Sequence, residues 1–287
     1  MSDQESQPTP ENDTKRQGHP LTDIAEQARQ QPQKKVKQTV NLRFPETVTK
    51  PRLTYILIGI NIFIWSLQFF VPREIVVALF NGAFLDVDAV LNQRQIYRLF
   101  TAMFLHIEIY HILFNSMALY YIGQHVERFF GRRRFIIIYL LGGLAGSILS
   151  LYVGANGLGA SGAVMAIWGA EVVFWYQHRQ MFGAMATKRL RMTAIIIIFN
   201  FVVGFAANAQ GTANIGNFAH LGGLIGGSIL AWLIGPRFFA MRVKDPKPQQ
   251  VPIRIVQANP LVLRVREILF YGAGLAAMLL LAIVFGT

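Results

Sequence analysis

Residues 158–163 read LGASGA. The stretch lies between two hydrophobic segments, and the reading of those segments decides the fold. If they are membrane helices, Ser161 stands at the mouth of one, flanked by Gly159, Ala160 and Gly162. Small residues of this kind are common where membrane helices pack closely, so the stretch taken alone speaks only of packing. Its meaning depends on what else in the chain converges on Ser161.

Of the 287 residues, 53% are hydrophobic and only 15% charged, against roughly 25% charged in soluble domains. The apolar residues fall in runs at about 53–71, 101–123, 135–153, 161–176, 192–208, 215–235 and 268–285. Most approach the ~20 residues that cross a bilayer as a helix. The run opening at Ser161 is short. Its Gly-rich entry predicts a helix that begins inside the membrane beside a protein-lined cavity.

The net charge of +12 raises the question of nucleic acid, and the distribution answers it. Lys34 to Arg52 precede the first run, Arg128 and Arg132 to Arg134 follow the second, Arg179 to Arg191 follow the fourth, and a further group from Arg237 to Arg266 follows the sixth. The opposite loops hold only Arg73, Arg94 and Arg98. This positive-inside asymmetry predicts a cytoplasmic N-terminus and, with seven spans, an external C-terminus. The basic excess reads as topology and contact with anionic membrane lipid, with no nucleic-acid partner. Cysteine is absent, which removes disulfides, a thiol nucleophile and thiolate metal sites together.

The expected organisation follows from composition. Residues 1–50 form a polar, disordered cytoplasmic tail; 51–236 form a six-span core; 237–266 form a basic, Pro-containing cytoplasmic linker; and 267–287 form a seventh, detachable transmembrane helix. Segment 72–100 mixes apolar and charged residues and is expected to lie as a structured element against the outer surface. No internal repeat of the kind common in transporters is present.

Ionisable and strongly polar groups inside a span are costly, so they are candidates for function. In the second run His111 and Asn115 are spaced i, i+4 and share a helix face. In the sixth, His220, Gly223 and Gly227 also share one, and the glycines allow a second backbone close by. If that backbone is the Ser161 helix, His220 arrives beside Ser161. A serine hydroxyl needs an adjacent base to become a nucleophile, and neutral imidazole serves near pH 7. Asn115, His111 and the Ser161 amide are then candidate donors to an oxyanion, and Gly159 and Gly162 leave room for substrate backbone. Each residue also has a plainer reading: Asn115 as a bond to a neighbouring helix, His106 as an interfacial histidine, Glu171 as a proton holder or helix contact, and Glu127, between Gly123 and Gly131, as a structural group.

Other hydrolytic designs fit poorly. HExxH is absent, and His106 and His111 are i, i+5, about 140° apart around a helix. The aspartates after the tail, Asp86, Asp88 and Asp245, lie outside the spans. No acid is placed to orient His220, so a Ser–His dyad is favoured over a triad.

These residues bring the sequence to a known pattern. GASGA with Ser161, AHLGGLIGG with His220, HILFN with His111 and Asn115, and GQHVERFFG with Glu127 together resemble the rhomboid intramembrane serine proteases over about residues 52–236. The resemblance implies an all-α membrane fold of six helices with one appended, Ser161 as nucleophile, His220 as general base, and His111 and Asn115 around the oxyanion. It implies transmembrane protein substrates, no metal and no organic cofactor. The expected location is a bacterial inner membrane, as a multi-pass protein. Two positions depart from the family pattern: Tyr97–Arg98 stands where Trp–Arg is frequent, with Arg98 taken as structural, and Met165 stands where many members carry an aromatic that packs on the histidine. An inactive relative that binds membrane proteins, and a transporter or channel, are the alternative functions. Retention of both Ser161 and His220 argues against the former, and the lack of repeats against the latter.

Overall fold

The computed structural model describes residues 50–211, 216–242 and 253–286. The expected tail at 1–50 falls almost wholly outside the described residues, as does the middle of the linker. The described chain is an all-α bundle with one small ribbon. Helix α1 is Leu53–Phe70, α2 Arg73–Ala83, α3 Val87–Leu91 and α4 Arg98–Thr101, the last running into a 3-10 turn, Ala102–Phe104. Then come α5, Ile109–Ala118, a π turn, Leu119–Gly123, and α6, Gln124–Phe130; α7, Arg132–Tyr152; α8, Ser161–Gln177; α9, Arg179–Phe182; α10, Ala184–Ala209; and α11, Asn217–Ile234. Strands β1, Phe238–Arg242, and β2, Ile253–Gln257, pair antiparallel, Phe238 opposite Gln257, before the final helix α12, Val265–Phe285.

Among the described residues five helices are long and apolar enough to cross a membrane, and six if the bent pair Arg98–Phe104 and Ile109–Phe130 is taken as one span. The seven expected runs differ from this in two places. Residues 101–123 are not one straight span, because the chain bends by 92° before Ile109. The helix at Ser161 has 17 residues, about 25 Å at 1.5 Å per residue, and falls short of a full span. Two loops also differ. Segment 124–134 is helical apart from Gly131, whose φ of +78° reverses the chain in a single residue. Linker 237–266 contains the ribbon, and it is anchored: Arg134 donates to the Ile234 and Asn259 carbonyls, and Asn259 donates to the Gly235 carbonyl.

Three helices make the core. Nearly every residue of α8 from Gly162 to Trp175 is buried, between α7 and α11. Lipid gives helices no hydrophobic reason to associate, so close van der Waals packing must do it. The sequence supplies small residues at the crossings. A β-carbon at Gly223 would overlap the Gly162 carbonyl, and one at Gly227 would overlap the Ala166 backbone. Across α7, Gly146 meets the Ala219 carbonyl and Gly142 meets Ala166 and Gly227. Phe135, Ile138 and Tyr139 of α7, Ile167 and Phe174 of α8, and Leu230 of α11 fill the remaining space.

Helices α1, α10 and α12 lie around this trio and turn apolar side chains outward, among them Phe63, Ile195, Phe199 and Leu280. Several contacts attach helix α12, among them Arg94 Nη1 donating to the Ile283 carbonyl at 3.3 Å. Tyr271 lies against Gly226 of α11, and the Met278 carbonyl accepts from Tyr152 Oη at 2.6 Å. It is therefore docked in this structure, where the sequence suggested a detachable helix.

Segment 72–104 is structured, as α2, α3 and α4. Arg98, buried at 7% exposure, holds it: Nη1 donates to the Asn81 and Phe84 carbonyls at 2.7 and 3.0 Å, and Nε to Gln95 Oε1 at 2.7 Å. Leu85 and Gly157 exchange both backbone hydrogen bonds, at 2.9 and 3.0 Å. That bridge ties the segment to the loop that carries Gly159, Ala160 and Ser161.

Candidate active site

Ser161 is the first residue of α8 and His220 the fourth of α11. They occupy corresponding ends of adjacent helices because Gly162 packs on Ala219 and Gly223 packs on Gly162. Each contact is one residue from, or one turn below, the side chains of interest. His220 is buried at 5% exposure, its Nδ1 has no partner, and no hydrogen bond joins it to Ser161. Ser161 is half-buried. Its amide stands in the first turn of α8, where a helix offers N–H groups with no intrahelical acceptor.

The second wall comes from α5 and the turn before it. His106 is completely buried. Its Nε2 lies 3.3 Å from Asn115 Nδ2 and 3.4 Å from the Ala160 amide nitrogen. Both neighbours are donors, so Nε2 is the unprotonated nitrogen in this arrangement. Asn115 Nδ2 also donates to the His111 carbonyl at 3.1 Å, and the His106 and His111 rings meet edge to face at 4.9 Å. His106 thus links Asn115 to the serine loop. Nothing in the sequence separated it from an ordinary interfacial histidine, because its contact with the serine loop, at Ala160, spans 54 residues of sequence.

The two glycines beside Ser161 serve internal packing. Gly159, at φ +119°, leaves space that the His111 ring occupies, and its N–H donates to the Ala102 carbonyl at 2.8 Å. Gly162 faces Ala219. On the side where a β-carbon would stand, both positions already meet protein. Met165 is buried in the core of α8, while an aromatic reaches His220 from elsewhere. Phe201 of α10 lies edge-on to the His220 ring at 6.3 Å. Sequence offered no signal for it, since one phenylalanine among many in an apolar run does not reveal which way it faces.

Two acidic residues lie away from this end. Glu127 is fully buried and accepts from the Arg52 and Leu53 amides on Oε1, at 2.8 and 2.9 Å, and from the Thr54 amide and hydroxyl on Oε2, both at 2.8 Å. It thereby supplies acceptors to N–H groups that the start of α1 leaves unpaired. Glu171 accepts from Trp175 Nε1 at 2.5 Å and pairs with His125 Nδ1 at 2.7 Å. Glu171 is therefore a helix contact, and its partner His125 went unnoticed because it lies 46 residues away in sequence.

The fold is an all-α membrane bundle in which the helix ends bearing Ser161 and His220 meet through glycine contacts. A family model described as the Rhomboid domain matches residues 93–237, and the chain belongs to the rhomboid family. It is 34% identical over 232 residues to the Rhomboid protease GluP of Bacillus subtilis (strain 168), covering 78% of this chain and 41% of that one. It is 29% identical over 188 residues to the Putative rhomboid protease YdcA of the same organism, covering 64% of this chain and 88% of that one. The RHOMBOID-like protein 1 of Arabidopsis thaliana is 34% identical over 162 residues, 54% of this chain and 39% of that one. The chain thus spans about two fifths of the length of GluP and of RHOMBOID-like protein 1.

Proposed function

We propose that this protein is an intramembrane serine endopeptidase that cuts transmembrane segments of membrane proteins near the outer membrane face, using Ser161 and His220 as a dyad. The observation that carries the reading is the convergence of α8 and α11 through Gly162, Ala219 and Gly223, which sets both residues at one end of the core. Ser161 Oγ attacks the substrate carbonyl while the His220 imidazole takes its proton. The tetrahedral oxyanion is met by first-turn amides of α8 and by His111. His220 then gives its proton to the leaving amine, and water hydrolyses the acyl-enzyme by the same exchange. Asn115 contributes to the oxyanion only by releasing His106 or the His111 carbonyl, both of which its amide holds.

The charge asymmetry of the loops supports a bacterial inner-membrane protein with its N-terminus and residues 177–191 on the cytoplasmic side and Ser161 near the outer face. Residues 51–236 are the catalytic core, and α12 is an appended span. Helical carbonyls are already bonded, so substrates carry helix-weakening residues near the outer face and a small residue before the cut.

One observation favours a second reading, an inactive rhomboid-like binder: no hydrogen bond joins Ser161 and His220. Catalytic bonds are often long without substrate, and one experiment separates the readings. The purified chain in liposomes is given single-span substrates, cleavage is followed, and the cut is located by mass spectrometry. Loss of cleavage in folded Ser161→Ala and His220→Ala, with the double variant scarcely worse than either, supports the dyad. Full cleavage by Ser161→Ala, or no labelling of Ser161 by a serine-directed phosphonate, refutes it.

A further inference from the structure

At the end of the bundle opposite Ser161, the last turns of α8 and α11 and the start of β1 border an open cavity of about 220 Å³. Tyr176, Gln177, Arg179, Trp232, Arg237 and Phe239 line it. The site described above uses none of them.

Its chemistry is unbalanced. Arg179 and Arg237 both line the cavity, and among the described residues no carboxylate does. Neither Arg179 nor Arg237 has an acidic partner among the described residues. Arg179 is held in place, its guanidinium 4.3 Å from the centre of the Tyr176 ring and its Nη1 donating to the Tyr176 carbonyl at 2.8 Å. That leaves its remaining N–H groups free to bind. Gln177 Nε2 is buried and has no partner. A buried donor left unpaired is costly, and Gln177 lines the same hollow as the two arginines.

The inner wall is fixed. His178 Nε2 accepts from the Phe238 amide at 2.9 Å and its Nδ1 donates to the Phe174 carbonyl at 2.7 Å. Both nitrogens are used, so His178 anchors the ribbon to α8 and presents no free donor. The mouth is aromatic. Tyr176 and Trp232 lie 6.4 Å apart and both are about half exposed, the character of side chains that settle at a bilayer interface.

Size narrows the ligand. The volume is several times the ~30 Å³ share of a water yet below the roughly 300–1,000 Å³ of pockets that enclose drug-sized ligands. It suits a tetrahedral oxyanion group whose remainder lies outside. Guanidinium pairs bind phosphate through parallel N–H···O bonds, and basic pockets between membrane helices hold anionic headgroups.

We propose that this cavity binds the phosphate of an anionic phospholipid, with Arg179, Arg237 and Gln177 as donors, Tyr176 and Trp232 as an interfacial rim, and the acyl chains along the apolar surface of α11. The inference is independent of the proposed proteolysis.

The test uses the full chain purified in a neutral detergent, with phosphatidylglycerol, phosphatidylcholine and inorganic phosphate as probes, read by native mass spectrometry and by the thermal unfolding midpoint. Phosphatidylglycerol is expected to remain bound and to raise the midpoint where phosphatidylcholine does not. Arg237→Gln combined with Arg179→Gln is expected to weaken retention about tenfold or more, since charge-assisted bonds are lost. Gln177→Leu, which keeps both charges, should weaken it less. The midpoint without lipid reports whether each variant is folded. The control removes two exposed arginines elsewhere, Arg128→Gln with Arg133→Gln, and is expected to retain the lipid. Equal retention of the two lipids overturns the proposal. So does equal loss in the charge-matched control, which would make the attraction one of net charge. Stabilisation by millimolar inorganic phosphate equal to that by phosphatidylglycerol overturns the lipid as the source.

Discussion

Helices α11 and α12 make an instructive pair. Both are predominantly apolar, yet 50% of the most apolar stretch of α11 is buried inside the bundle and only 11% of that of α12, although α12 is the more apolar. Hydropathy sorts residues between water and lipid, and once both helices are in lipid it no longer says which lies inside. Side-chain size does. Glycines of α11 admit Gly162 and Ala166 of α8, whereas Gly272 and Gly274 of α12 have nothing within reach of an added β-carbon.

The contrast is broken or sharpened most directly at those glycines. Gly227→Leu should prevent assembly of the core, because no neighbouring backbone can move away. Overpacking of this kind costs about 1–3 kcal/mol and more when backbone is struck. Yield of monodisperse protein and the unfolding midpoint in detergent are the readouts, and a stable, monodisperse Gly227→Leu protein would contradict the packing argument.

Glu127→Ala is next. It leaves three amides and a hydroxyl at the start of α1 without acceptors, at about 1–3 kcal/mol for each buried group left unpaired. A drop of many degrees in the midpoint is expected, larger than for any single lipid-facing truncation on α1. Phe201→Ala probes α10, of which only Ala186, Thr193 and Gly204 are buried. Cleavage should fall through misplacement of His220 while the midpoint stays nearly constant. An unchanged rate would show that the edge contact does not position His220.

A smaller effect is expected at the ribbon. Burial first, and then the Arg237 cation, hold His178 below the ordinary imidazole value of 6.5, against the opposing bond to Phe174. The unfolded chain therefore binds the proton more readily than the folded one. Stability from this group is present above pH 6.5 and declines as pH falls through the folded value. Amide exchange at Phe238, corrected for its intrinsic pH dependence, should accelerate on acidification below 6.5, and His178→Gln should remove the pH dependence. Least of all, Gly272→Leu should leave assembly unchanged or raise stability by up to about 1 kcal/mol, the helix penalty of glycine. Thermal unfolding beside Gly227→Leu completes the pair.

The apolar runs and the candidate serine and histidine are legible in the sequence, because the cost of polar groups in lipid is a one-dimensional signal. Ser161, His220, His111 and Asn115 stand out against apolar neighbours. What it conceals depends on which side faces which. Gly227 and Gly272 look alike in an apolar run, and Phe201 looks like any lipid-facing aromatic. Gly159 and Gly162 read as space for a substrate, and their packing against His111 and Ala219 is not visible in one dimension. The bend before Ile109 is hidden because residues 101–105 are apolar enough to extend the span. The ribbon at 238–257 is short and its prolines suggested a plain linker.

The reach of Glu127 also sets an order of events. Its carboxylate completes the start of α1 from 75 residues downstream. At roughly 5–20 residues per second of synthesis, the first helix waits about 4–15 s for the group that satisfies its opening amides. The first of the described helices is therefore completed only once synthesis has reached α6, and during that interval its opening amides are left to water, to lipid headgroups and to helper proteins.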